Sequence, residues 1–293
     1  MCEINWFDLQ RGSFVDGPGI RTVLFFKGCN LRCAWCHNPE SQRTEPQQAW
    51  YPNRCTQCGA CMHICPTRAI GVDFHTDETK CKQCGKCVDV CPAAARRLYG
   101  KRSRCEELIP ELLADREFFA VSGGGVTFSG GECLLQPDAL ETLLYACREA
   151  GVQTAVDTAG DVPWETIARI EPRTDLFLYD IKCISAQIHK RWTGRTNERI
   201  LANYRCLYAL CPEKLIVRIP VIPDANDWNG EMEKIADFLS AYPPVSVELL
   251  PYHRFGVPKS EALGQTCKMF DEQKEEKIEA MRRAFRQKKL QVL

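Results

Sequence analysis

Ile20-Arg-Thr-Val-Leu-Phe-Phe26 runs through Lys27 and Gly28 into Cys29-Asn-Leu-Arg-Cys33-Ala-Trp-Cys36, and this junction decides how the chain folds. The first segment, dense in β-branched and aromatic side chains, reads as a buried strand, which puts the three cysteines in the loop after it. Past residue 100 the pattern continues: Val126-Thr-Phe-Ser129 runs into Gly130-Gly131-Glu132. Pro137 then opens a helix with Leu140, Leu143, Leu144 and Cys147 on one face, stopped by Gly151. Further strands are expected at 152–157, 176–180, 215–219 and 245–250, which with 22–26 and 126–129 makes six strands of the βα type. Six are too few to close an eight-stranded barrel. The expected fold is α/β: a partial, open (β/α)6 barrel of the TIM type.

The 293 residues carry 38 Lys+Arg against 38 Asp+Glu, with 45% hydrophobic and 26% charged residues, an ordinary globular composition. Zero net charge leaves no basic excess to neutralise phosphates, which argues against nucleic acid as a main partner. No apolar run approaches the roughly 18 residues of a membrane helix. Glu3 and Asp8 stand where a secretory leader would be basic and then apolar, so a cytoplasmic protein without membrane contact is expected. A final helix over 271–289 begins acidic (Asp271, Glu272, Glu275, Glu276) and ends basic (Arg282, Arg283, Arg286, Lys288, Lys289). That order complements the helix dipole, and the helix reads as a solvated surface element.

The outlier is cysteine, with 19 in the chain. Cys2, Cys105, Cys133, Cys147, Cys183, Cys206, Cys211 and Cys267 share no spacing. The rest fall into three tight groups, and an odd count, C-x-x-C spacings and no leader argue against disulfides. Cys55-x2-Cys58-x2-Cys61-x3-Cys65-Pro66 and Cys81-x2-Cys84-x2-Cys87-x3-Cys91-Pro92 are two copies of the bacterial two-cluster ferredoxin run. In that run three cysteines wrap one [4Fe-4S] cluster and the fourth reaches across to the other. Cys55, Cys58, Cys61 and Cys91 should therefore hold one cluster, and Cys81, Cys84, Cys87 and Cys65 the other. Structural zinc on four thiolates competes, but two full copies with the terminal Pro, and Gly59 and Gly85 at matching places, favour clusters. The insert is expected over 49–97, dividing the barrel into 1–48 and 98–293, with Pro46, Pro52 and Ala93-Ala94-Ala95 marking the junctions. His63, His75 and His189 read as surface or packing groups, as do Trp50 and Tyr51.

Cys29, Cys33 and Cys36 differ in kind. Three cysteines leave one iron of a cubane without a protein ligand, open to a substrate or cofactor, which suggests catalysis rather than electron storage. Polar groups also gather at the C-terminal ends of the strands, where parallel βα folds place their sites: Ser129-Gly130-Gly131-Glu132, Asp157-Thr158, Asp180-Ile181-Lys182, Arg218 and His253.

The C-x3-C-x2-C loop with Trp35, followed by Ser-Gly-Gly-Glu, resembles the radical S-adenosylmethionine enzymes. More narrowly, Asp16-Gly-Pro-Gly-Ile-Arg21, Trp35-Cys-His-Asn-Pro39, Asp157-Thr-Ala-Gly160, Asp180-Ile-Lys182 and Leu250-Pro-Tyr-His253 are similar to those of the glycyl radical enzyme activating enzymes, nearly end to end. The double insert points to the members serving lyases, dehydratases and decarboxylases. The resemblance implies three [4Fe-4S] clusters, and implies that the one on Cys29, Cys33 and Cys36 binds S-adenosylmethionine and cleaves it to a 5′-deoxyadenosyl radical. That radical abstracts a hydrogen from a backbone glycine of a partner glycyl radical enzyme. It implies Trp35, Cys36, His37, Gly130, Gly131, Glu132, Ile181, Arg218 and His253 around the cofactor, with Lys182 facing its carboxylate and no Cβ at the two glycines to block its amino group. Asp157 and Asp180 would hold a monovalent cation, and Asp16 would meet the glycine loop. Flavodoxin or ferredoxin is the implied reductant and a monomer the implied state. Cys133 departs from the family, which commonly carries Pro or Ala there, and reads as a small hydrophobe rather than a ligand. Two alternatives stand beside this reading: an iron-sulfur electron carrier, disfavoured by the open iron, and a radical S-adenosylmethionine enzyme acting on a small molecule or peptide.

Overall fold

The computed structural model describes residues 2–293. Six parallel strands form its centre: β2 (Arg21–Phe26), β6 (Gly125–Gly130), β7 (Gln153–Thr158), β8 (Leu176–Asp180), β9 (Leu215–Val221) and β10 (Ser246–Pro251). They are the six the sequence marks out. Two antiparallel strands that the sequence reading did not foresee extend the sheet: β1 (Glu3–Ser13) pairs β2, and β5 (Lys101–Arg104) pairs β1. The order β10-β9-β8-β7-β6-β2-β1-β5 leaves β10 and β5 as edges, so the sheet is open. Only Ile4 and Phe7 of β1 are buried, and its mixed polar composition gives no apolar run.

Side chains alternate between the two faces of a strand, so each parallel strand sorts its residues by parity. Phe128, Val156, Phe177, Tyr179, Val217, Ile219, Val247 and Leu249 belong to the main apolar cluster, where the helices cover them. Those helices are α3 (Cys105–Leu112), α4 (Arg116–Ser122), α5 (Pro137–Glu149), α6 (Trp164–Ile170), α8 (Glu198–Leu210), α9 (Asn229–Ala241) and α11 (Glu275–Gln287); α7 (Ala186–Thr193) and α10 (Gly256–Ala262) pack instead against the loop that follows β2, and α1 and α2 belong to the segment described next. Leu140, Leu143, Leu144 and Cys147 of α5 are at most 1% exposed, as their spacing requires. The reading of the last helix is corrected: α11 is shorter than expected, and Ile278, Met281 and Phe285 at its i, i+3 and i+7 positions are buried in the core. The other parity carries apolar residues (Ala155, Leu178, Ile216) and polar ones (Ser129, Asp157, Asp180, Arg218, Glu248), the polar one lying two positions further along each strand that has both.

The segment between β2 and β5 leaves and returns on an antiparallel ribbon, β3 (Gln47–Trp50) with β4 (Arg96–Tyr99), registered Gln48 to Leu98 and Trp50 to Arg96. Within it the backbone repeats itself. Gln57 and Gln83 are left-handed (φ 58° and 55°), Gly59 and Gly85 follow at 77° and 75°, and Arg68 and Ala94 match at 52° and 46°. Each glycine starts a short helix, α1 (Ala60–Ile64) or α2 (Lys86–Asp89). Ala93-Ala94-Ala95 is thus part of the second copy of the repeat. No helix among the described residues is long and apolar enough to cross a membrane.

Candidate active site

The inner parity of β6 to β10 presents one polar group per strand, charged on all but β6. Ser129 Oγ donates to Asp157 Oδ2 at 2.6 Å, and Arg218 Nη1 lies 3.4 Å from the same oxygen. Arg218 Nε lies 3.7 Å from Glu248 Oε2, and Lys182 Nζ bonds Asp180 Oδ2 at 2.5 Å. Burial pushes the Asp157 carboxyl up to about 6, with Arg218 pulling the other way. Burial works against the Arg218 guanidinium too, but Asp157, Asp180 and Glu248 outweigh it and keep it charged. Glu248 itself is raised by burial. It was missed by the sequence reading, although a charged residue in the middle of an apolar strand was the available signal. Asp16 enters from the turn between β1 and β2. Ser13 Oγ donates to its carboxylate at 2.5 Å, Thr127 Oγ1 donates to its carbonyl at 2.7 Å, and its charge reaches both Asp157 and Arg218.

The loop after β2 carries Cys29, Cys33 and Cys36 over this face and is pinned from two sides. Gly28 N and Cys29 N donate to Ser41 and Gln42 carbonyls, while Arg32 N and Ala34 N donate to Thr193 and Trp192 at the end of α7. Helix α10 packs so closely that a Cβ on Gly256 would sit 2.2 Å from the Cys36 carbonyl. Burial raises all three thiols, Cys33 to about 12, where Lys182 pulls the other way. A cavity of about 360 Å³, the size of a small-molecule site, is lined by Cys33, Trp35, Cys36 and His253. The His37 and His253 rings are 4.3 Å apart at its edge.

Several of the expected cofactor residues also make contacts within the chain. A Cβ on Gly130 (φ 116°) would lie 2.3 Å from Phe26 N, and one on Gly131 2.2 Å from Gly28 O. On that side these glycines are required by the close approach of the chain's own backbone at Phe26 and Gly28. Glu132 is 1% exposed, and its carboxylate accepts from Leu134 N, Thr158 Oγ1 and Ala159 N, tying the end of β6 to the loop after β7. Ile181 lies in the main core and its N–H bonds the Arg218 carbonyl. Cys133 is fully buried, its thiol directed to the Phe128 and Asp157 carbonyls, which is the behaviour of a packing residue.

In the repeat segment, one cavity is lined by Cys55, Cys58, Cys61 and Cys91, and a second by Cys65, Cys81, Cys84 and Cys87. Gln57 N and Gln83 N approach Cys55 and Cys81 Sγ at 3.4 Å, and Ala69 N and Ala95 N approach Cys65 and Cys91 Sγ at 3.3 Å. Among the described residues no three His, Cys, Asp or Glu side chains converge as ligands of a single ion. A cubane asks for a different arrangement, one thiolate for each iron around a cage. His63 and His75 are exposed, Trp50 stacks on Phe74, and His189 is buried with Nδ1 2.7 Å from the Arg195 carbonyl.

The Radical SAM superfamily profile matches residues 23–239. An isethionate sulfite-lyase activating enzyme of Desulfovibrio desulfuricans is 43% identical over 90% of this chain and 87% of its own. A trans-4-hydroxy-L-proline dehydratase activating enzyme of Clostridioides difficile is 41% identical over 95% of this chain and 94% of its own. Among solved structures, a domain of a pyruvate-formate lyase-activating enzyme from Bacteroides vulgatus superposes with a TM-score of 0.51 at 29% identity, covering 58% of this chain and 98% of that one.

Proposed function

The chain belongs to the radical S-adenosylmethionine superfamily and, within it, to the glycyl radical enzyme activating enzymes, and from that premise we propose which of its residues carry the activity. When bound, the [4Fe-4S] cluster supplies the electron that splits S-adenosylmethionine into methionine and the 5′-deoxyadenosyl radical, the species that takes a hydrogen atom from the partner's glycine. Cys29, Cys33 and Cys36 hold the cluster. The fit rests on this chain's own groups: three thiols within electrostatic reach of one another, the adjoining cavity, and a buried Arg218 Nε with no hydrogen-bond partner. Lys182, kept charged mainly by Asp180 against its burial, faces the cofactor's carboxylate beside Cys33, and Trp35, His37 and His253 close the rim. Asp157 and Asp180 supply carboxylates for a monovalent cation. Asp16, held by Ser13, contacts the incoming glycine loop. Six parallel strands with one polar inner face support a partial (β/α)6 barrel.

Residues 49–97 act as a ferredoxin-like insert holding two more clusters, supported by the repeated backbone and the two four-cysteine cavities. The reductant is an acidic one-electron carrier of the flavodoxin or ferredoxin kind. Exposed Cys84 lies among Lys80, Lys82 and Lys86, of which Lys82 and Lys86 make no ion pair among the described residues, whereas the first copy offers only Arg54 at these places. The partner is a glycyl radical lyase, dehydratase or decarboxylase. Free cysteines throughout fit a reducing cytoplasm.

The observation that carries the assignment of residues is the three-cysteine loop lying over the row of Asp157, Asp180, Lys182 and Arg218. The test is anaerobic: reduced protein with S-adenosylmethionine should yield 5′-deoxyadenosine, a Cys33→Ala variant none, and an added isethionate sulfite-lyase or hydroxyproline dehydratase should acquire a glycine-centred radical. Equal product from native and variant chains would overturn it.

A further inference from the structure

The two cavities of the insert have equivalent cysteines and equivalent backbone N–H groups on sulfur, so their difference comes from what else faces them. The β3–β4 ribbon lies against both. On one face of it, two residues apart, stand the registered pairs Trp50 with Arg96 and Gln48 with Leu98. Trp50 and Arg96 line the cavity of Cys55, Cys58, Cys61 and Cys91, while Gln48 and Leu98 line that of Cys65, Cys81, Cys84 and Cys87.

Arg96 is 2% exposed. Its outer nitrogens are engaged: Nη1 donates to Gln48 Oε1 and Thr76 Oγ1, both at 2.9 Å, and Nη2 to the Phe74 carbonyl at 2.5 Å. Nε is buried and has no partner. Trp50 is held by its ring, stacked on Phe74 at 6.0 Å and edge-on to His75 at 5.0 Å, and its Nε1 is likewise buried without a partner. A buried N–H left unpaired is costly, and two on one cavity wall call for an acceptor inside it. The opposite wall offers four sulfur atoms. In the other cavity the ribbon offers an aliphatic side chain and a glutamine whose carbonyl oxygen already accepts from Arg96 and from Thr76; Thr67 Oγ1 lies 3.7 Å from Cys65 Sγ there, and the Arg96 charge also reaches Cys87. Lys82 and Lys86 there are exposed, so water screens their charge.

We propose that Arg96 and Trp50 are hydrogen-bond donors to the cluster held by Cys55, Cys58, Cys61 and Cys91, and that they set it at a higher reduction potential than its sister. This rests on the reading of 49–97 as a two-cluster insert. N–H donors and a buried guanidinium stabilise the reduced cluster, which carries one more negative charge. The insert is then graded: the cluster beside Lys82 and Lys86 is the more reducing, and the cluster beside Trp50 collects the electron.

The test is an anaerobic redox titration of the loaded enzyme followed by electron paramagnetic resonance. The first cluster's signal is assigned by its loss in Cys58→Ser. Trp50→Phe keeps the ring stacking and removes the donor alone. At the native midpoint of the first cluster its reduced-to-oxidised ratio should fall at least threefold, with the second cluster unmoved. Arg96→Met should shift it tenfold or more, about 59 mV for a one-electron couple, and should shift the second cluster less, since the same charge also reaches Cys87. Unchanged potentials in Trp50→Phe with full iron, or equal shifts of both clusters, would overturn the proposal. About four iron atoms per native chain, instead of about twelve, would show that the insert reading itself had failed and taken the proposal with it.

Discussion

Glu132→Gln replaces one oxygen by an amide nitrogen in the joint between β6 and β7, and it separates bracing from cofactor binding. Glu132 Oε1 accepts from Thr158 Oγ1 at 2.7 Å and Leu134 N at 3.2 Å; Oε2 accepts from Ala159 N at 3.1 Å. Glutamine can keep the first pair, but its NH2 then meets the Ala159 N–H donor to donor. Losing that bond and leaving a buried N–H unpaired costs about 1–3 kcal/mol at pH 8, where the native side chain is ionised. Burial moves the Glu132 carboxyl from its ordinary 4.5 up to about 7. Between those values the folded chain holds a proton that the unfolded chain has released. This group's stabilisation is therefore complete below pH 4.5 and is lost as pH rises through 7. From pH 6 to pH 8 the native chain loses about 1.3 kcal/mol that a glutamine chain does not. The gap between native and variant should accordingly be larger at pH 6 than at pH 8. Urea midpoints of the anaerobically loaded enzyme at both pH values measure it, beside the affinity for S-adenosylmethionine, which should hold within about threefold. A gap that widens towards pH 8, or a lost affinity with unmoved midpoints, would refute the reasoning.

Gly131→Ala should be far more damaging than its size suggests, because the added methyl meets the Gly28 carbonyl at 2.2 Å, one residue before Cys29. A loss of about 3 kcal/mol or more, with iron missing from the catalytic loop, is expected in thermal melts and iron analysis. Cys133→Ala should retain native iron content, cluster spectra and 5′-deoxyadenosine yield while losing about 1 kcal/mol to a small cavity; altered spectra would make Cys133 a ligand. Changing Lys80, Lys82 and Lys86 together to glutamine should slow cluster reduction by reduced flavodoxin about tenfold at low salt and flatten its salt dependence. Reduction by dithionite, which needs no docking, should be unchanged.

What could be read from the sequence follows the strength of the physical signal. The six parallel strands were legible because each is buried on one or both faces and must be an apolar run. Strands β1 and β5 were not, since an edge ribbon with Arg97, Lys101, Arg102 and Arg104 around it carries no alternation to find. The cysteine spacing foretold which four thiols would share each cavity, because cage geometry is local in sequence. The ribbon β3–β4 was invisible for the opposite reason: Trp50 and Arg96 matter only as a registered pair, 46 residues apart, and nothing in either neighbourhood announces the other. Gly130, Gly131 and Glu132 show a third case. The motif was seen but one of its reasons was not, since a missing Cβ marks a close approach without saying of what. On the Cβ side it is the chain's own backbone, so the motif also positions the loop: the end of β6 presses on Phe26 and Gly28, and Gly28 leads directly into Cys29. Iron on Cys29 should for that reason be more sensitive to Gly131 than to Glu132, an ordering that a direct role for both in cofactor binding would not produce.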